Sequence, residues 1–158
     1  MQKTIIYDKA KYHLDAENYP KDLLVEQAYV HTGMFLGWII DSNLFNKESF
    51  DKIDIQKDIN DFKNRRIKPT DIYRNLLDGT LTNEDLNEEG NAFAQYYFDF
   101  DKGQYIQDYM KVFALKADNN YVVENSWKNY DMIKEVVDQR YLNWKKEKTG
   151  NFWSRLFS

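Results

Sequence analysis

The chain has 158 residues, with 22 basic and 26 acidic side chains for a formal net charge of −4, and no cysteine. The length suits one domain able to bury roughly 68–70% of its unfolded surface. The missing cysteines exclude a disulfide framework and a thiolate metal centre, and the acidic balance argues against nucleic-acid binding, which leaves a basic footprint.

The start of the chain, Met1 to Lys9, lacks the long apolar stretch of a signal peptide, so a cytoplasmic location is expected. Thr4–Tyr7 reads as a short strand or extended arm. Pro20 suits a helical first turn, and an apolar series then runs from Leu23 to Asp41. Leu24, Ala28, His31, Phe35 and Trp38 share one face of this helix, and Val30, Gly33, Met34 and Gly37 another. It is apolar nearly all round yet shorter than the about 20 residues that cross a bilayer, so it belongs at the centre of a globule. Two glycines in a helix cost about 1 kcal/mol each relative to alanine, which asks for close packing by a neighbour within the chain.

A second helix is expected from about 48 to 65, with Ile55, Ile59 and Phe62 inward and Pro69 stopping it. The basic residues Lys63, Arg65, Arg66 and Lys68 complement its C-terminal dipole. Thr70–Leu77 is a short helix with Thr70 as N-cap and Asp78-Gly79 as its end. Thr82 with Asp85 nearly matches a capping box, so the next helix is expected to start there, burying Leu86, Gly90, Phe93 and Tyr97. A turn at 99–103, helical spacing from Tyr105, a polar loop at 116–120 and a brief extended piece at Tyr121–Val123 follow. The last helix, about Trp127 to Lys146, carries the stripe Tyr130, Ile133, Val137, Tyr141 and Trp144, and Gly150 is expected to end it. The fold class is all-α: a single compact bundle of about five or six helices around the helix at 23–41, with a minor extended piece. Residues 1–150 form the domain and 151–158 a short aromatic tail.

Few constellations carry chemistry. His31 lies on the central helix, where a histidine is a base, a ligand or a hydrogen-bonded core group. His13 sits in a polar stretch with little to single it out. Glu84 with Glu88, and Asp85 with Glu89, are spaced to share helix faces; such carboxylates suit a hard cation or acid/base work, and also simply favour a helix N-terminus. Asp99-x-Asp101-x-Gly103 opens like a calcium loop, but Gly103, Gln104 and Met110 stand where the pattern needs a ligand, a glycine and a bidentate glutamate. No helical zinc or di-iron spacing, phosphate-cradling loop or nucleophile elbow is present, so no metal and no cofactor is expected.

The segments His31-Thr32-Gly33-Met34-Phe35-Leu36-Gly37-Trp38 and Leu86-Asn87-Glu88-Glu89-Gly90-Asn91-Ala92-Phe93 resemble landmarks of a family of small uncharacterised bacterial proteins. Tyr19-Pro20, Lys102-Gly103-Gln104-Tyr105 and Asp108-Tyr109 extend the resemblance over about 20–145. That family brings no established activity and so no catalytic residues. Small acidic helical bacterial proteins of this general kind include immunity proteins encoded beside a toxin, an analogy of class and size.

The leading expectation is therefore a non-catalytic cytosolic binding protein of the immunity type. It would meet a protein partner, a basic toxin domain, through Glu84, Asp85, Glu88, Tyr96 and Tyr105. The rival is an enzyme or metal-dependent protein with His31, Glu88 and Glu89 around one pocket. A third reading is a peripheral membrane or scaffold role for the aromatic tail, without stable membrane insertion. Whether the chain forms a homo-oligomer is left open.

Overall fold

The apolar run becomes helix α2, Val30–Asp41, in which every residue from Val30 to Ile40 is buried. The computed structural model describes residues 3–51, 53–116 and 120–156. Among these the chain is mainly helical, with seven helices and one small two-stranded sheet. Strand β1, Ile6–Lys9, runs directly into α1, Ala10–Leu14. A 3-10 turn at Val25–Tyr29 leads into α2, followed by α3, Ile53–Lys63, and α4, Pro69–Leu77. Strand β2, Thr80–Thr82, pairs antiparallel with β1 across a bulge between Ile6 and Asp8. Helices α5, Glu88–Tyr97, α6, Tyr105–Val112, and α7, Trp127–Leu156, complete the chain.

The two α2 glycines explain how α4 packs. A Cβ on Gly33 would stand 2.8 Å from the Thr70 Cα, and one on Gly37 would stand 3.0 Å from both the Pro69 Cβ and the Tyr130 ring. The glycine face is thus packed within the chain, against the first turn of α4 and the side of α7. Helix α7 is fixed to α2 by polar anchors as well: the Trp38 indole donates to Asp138 at 2.7 Å, and the Tyr130 hydroxyl donates to Asp41 at 2.6 Å. Tyr130, Ile133, Val137 and Trp144 bury the expected stripe.

Several boundaries differ from the sequence expectation. The helix expected from Leu23 starts only at Val30; the tighter three-residue period of the preceding turn takes Leu24 out of the α2 stripe and leaves it 73% exposed. Pro69 opens α4 instead of only closing the helix before it, because its fixed φ and missing N–H suit a first helical position. Lys68, not Thr70, is the N-cap; its N–H donates to the Asp71 carboxylate at 2.8 Å. Thr82 and Asp85 do bond to one another, but the bonds close the turn after β2 (2.7 and 2.8 Å), and α5 starts at Glu88 with Asn87 accepting from the Gly90 N–H at 2.8 Å. Gly150 does not end α7, which runs on to Leu156. The aromatic side chains of the tail lie outside the described residues, as do 117–119 of the polar loop.

Candidate functional site

The polar interior of the molecule is concentrated where β1, α1 and α2 meet. Alternation along β1 turns Asp8 inward, and its pairing with Leu81 of β2 holds it there. Helix α1 follows at once and brings His13 back over the strand: His13 Nε2 stands 2.8 Å from Asp8 Oδ1. A carboxylate only accepts, so Nε2 carries the proton, and in the neutral ring Nδ1 accepts from the Tyr121 hydroxyl at 3.0 Å. From α2, the Thr32 hydroxyl donates to Asp8 Oδ2, and His31 Nε2 lies 3.8 Å from the same oxygen. The Tyr73 hydroxyl donates to the Gly79 carbonyl at 2.7 Å and stands 3.4 Å from Asp8.

His31 is the outlier in this cluster. Its ring packs edge-on to His13 with centroids 4.6 Å apart and the residue is 4% exposed, yet its Nδ1 has no hydrogen-bond partner among the described residues. Buried polar atoms are nearly always paired, so an orphan nitrogen here calls for a reason. Burial drives the imidazole pKa down to about 4, reinforced by His13 and opposed by Asp8, so at neutral pH the ring is uncharged with a free lone pair. For Asp8, burial pushes the carboxyl up, but the His13 hydrogen bond, the neighbouring imidazoles and Thr32 hold it below the usual carboxylate range. A cavity of about 40 Å³ opens beside the cluster, walled by Tyr7, Asp8, His13, His31, Phe98 and Tyr105 among others. A water needs about 10–15 Å³ on this measure, so the cavity suits an ion or a few waters better than an organic substrate. Among the described residues, Asp8, His13 and His31 are the His, Asp or Glu side chains close enough to share an ion, each offering an atom within 4.8 Å of the others.

The chain matches the model of a family described as Domain of unknown function (DUF7832) over residues 6–123. It belongs to that family. The matched span contains every residue of the Asp8 cluster and ends before α7. Comparison with curated proteins and with solved structures finds no match.

The carboxylates expected to face His31 lie elsewhere. Glu89 accepts from the Tyr141 hydroxyl at 2.7 Å and pairs with Lys145, and the hydrogen bonds from Lys145 and Tyr141 hold its pKa low. Glu88 and Glu89 line a groove with Trp144 and Lys148, away from the histidine cavity. The expected constellation of His31 with Glu88 and Glu89 is therefore not assembled: α5 presents these residues towards α7 and solvent, and the carboxylate that meets His31 is Asp8. Tyr105, expected on the partner surface, is instead 2% exposed and donates to the His31 carbonyl at 2.5 Å. Asp85 is half-buried and spends its carboxylate on Thr82. The Asp99 carboxylate accepts from the Asp101 and Lys102 N–H groups at 3.0 and 2.9 Å, which makes that segment a closed turn.

Glu84, Glu88 and Tyr96 do lie on the surface, Tyr96 at 46% exposure. Glu84 and Glu88 border an open groove of about 950 Å³ together with Glu48, Asn46, Asn83 and Asn91. Among the described residues, no lysine or arginine lines it.

Asp8 and His13 were the functional candidates without a local signal. The available clue was scarcity: the chain has two histidines, and both lie in this cluster.

Proposed function

We propose that the chain is a non-catalytic binding protein that takes a basic protein partner, in the manner of an immunity protein neutralising a toxin. The observation that supports this reading is the groove walled by Glu48, Glu84 and Glu88, with no cation among the described residues that line it. Carboxylates without partnering cations are attractive to lysine and arginine side chains, and the asparagine amides beside them supply donors and acceptors for a bound backbone. Tyr96, farther along α5, offers the large amphipathic ring that anchors protein interfaces. The formal charge of −4 adds long-range steering towards a basic surface.

The test is capture of the partner from native host cells by tagged wild-type chain and by a Glu84→Lys/Glu88→Lys double variant. Wild type should retain a basic protein that raised salt releases, and the double variant should not. A partner retained equally by both, or released by neither salt nor charge reversal, removes the groove from the interface.

A further inference from the structure

We infer that Asp8, His13 and His31 form a site for one divalent transition-metal ion of the zinc class. The inference is independent of the acidic groove and stands or falls apart from it.

Two imidazoles and a carboxylate are a ligand set that zinc and its first-row neighbours accept, with remaining positions left to water. They reach one point from β1, α1 and α2, so the site is built by tertiary packing and not by a local motif. Around a tetrahedral ion with bonds of about 2.1 Å, ligand atoms stand about 3.4 Å apart. Asp8 Oδ1 lies 2.8 Å from His13 Nε2 and Asp8 Oδ2 lies 3.8 Å from His31 Nε2, either side of that spacing. All three ligand atoms fall within 4.8 Å, so a pivot of the rings by about 1 Å closes the set around an ion.

The second observation is His31 itself. Its buried Nδ1 has no hydrogen-bond partner among the described residues, and the ring borders the small cavity. A metal ion on either ring nitrogen gives this imidazole a function. The surroundings also match what ligating residues need, namely outer partners that orient them. When His13 Nε2 takes the ion, its proton moves to Nδ1, which then donates to the Tyr121 oxygen 3.0 Å away. The Thr32 hydroxyl donates to Asp8 Oδ2, which fixes the plane of the carboxylate. The cavity of about 40 Å³ leaves room for the completing waters.

The test uses the full chain stripped with a chelator. Because His13 and His31 are the two histidines of the sequence, imidazole nitrogen NMR reads the proposed ligands without any mutation. One equivalent of Zn²⁺ should shift nitrogen resonances of both rings, and calorimetry should give one ion per chain. Co²⁺ should produce the visible bands of a low-coordinate site. His13→Ala should weaken Zn²⁺ binding by roughly a hundredfold, while Glu88→Gln leaves it unchanged. Imidazole resonances that stay still on adding Zn²⁺, or binding that survives His13→Ala and disappears in Glu88→Gln, would overturn the assignment and leave the cluster as a hydrogen-bonded core.

Discussion

The backbone of Gly33 in α2 lies so close to α4 that a Cβ there would stand 2.8 Å from the Thr70 Cα. The neighbour is main chain, which cannot swing aside as a side chain would. Gly33→Ala should therefore destabilise the fold although alanine is the better helix former. Overpacking costs about 1–3 kcal/mol, against a helix gain of about 1 kcal/mol. Chemical denaturation should show a lower midpoint with an unchanged slope; a higher midpoint would mean that α2 and α4 are not in this contact.

The same contact shows what a sequence can and cannot carry. Gly33 and Gly37 announce close packing because the cost of glycine in a helix is a local quantity, and the all-round apolar character of Val30–Ile40 announces burial for the same reason. The start of α5 lies beyond the Thr82–Asp85 pattern because the Asp85 carboxylate does accept from the Thr82 N–H as in a cap, but in the turn after a strand. Which use prevails depends on β1 pairing with β2, an interaction between distant parts of the chain. Asp8 is hidden for the same reason. Nothing near it in sequence says that it will be buried, and its partners His13, Thr32 and His31 arrive from two other elements.

Acid should unfold the chelated protein earlier than its carboxylates alone would. The His31 pKa is about 4 in the folded chain, against an unperturbed value of 6.5. Between these values the unfolded chain takes a proton that the native state refuses, so stability is full above pH 6.5 and falls as the pH drops towards 4. At about 1.36 kcal/mol per unit the loss is about 3 kcal/mol. Asp8, with its depressed pKa, adds a further loss below its unfolded value of 3.8. Thermal melts from about pH 7.5 to about 4.5, which spans the histidine titration, should show the decline, and His31→Gln should flatten it. A variant with the wild-type slope would show that His31 is not the group responsible.

Asp108 of α6 joins three helices. It accepts from the Tyr97 hydroxyl of α5 at 2.9 Å and takes a two-pronged bond from Arg140 of α7 at 2.7 and 2.8 Å. The Asp108 side chain is 11% exposed, whereas the Arg140 side chain is 40% exposed, so truncating the two is not equivalent. Asp108→Ala leaves a buried phenol without its acceptor and should cost about 2–4 kcal/mol; Arg140→Ala should cost less, since its head is partly in water. A double-mutant cycle should return a coupling of about 1 kcal/mol or more. Additive losses would mean that the pair contributes nothing beyond its separate packing.

Two tyrosines that look alike in sequence should separate partner binding from stability. Tyr96 is 46% exposed on α5, while Tyr105 is 2% exposed and donates to the His31 carbonyl. Tyr105→Phe removes one buried hydrogen bond and keeps the ring, so it should lower stability by about 1–2 kcal/mol and leave partner retention intact. Tyr96→Ala deletes an exposed ring whose contacts are to Phe93 and Trp144, so it should change stability little and weaken retention of the basic partner. The reverse pattern would be decisive in the other direction: retention lost in a stable Tyr105→Phe and kept in Tyr96→Ala would move the interface off the α5 face and towards α6.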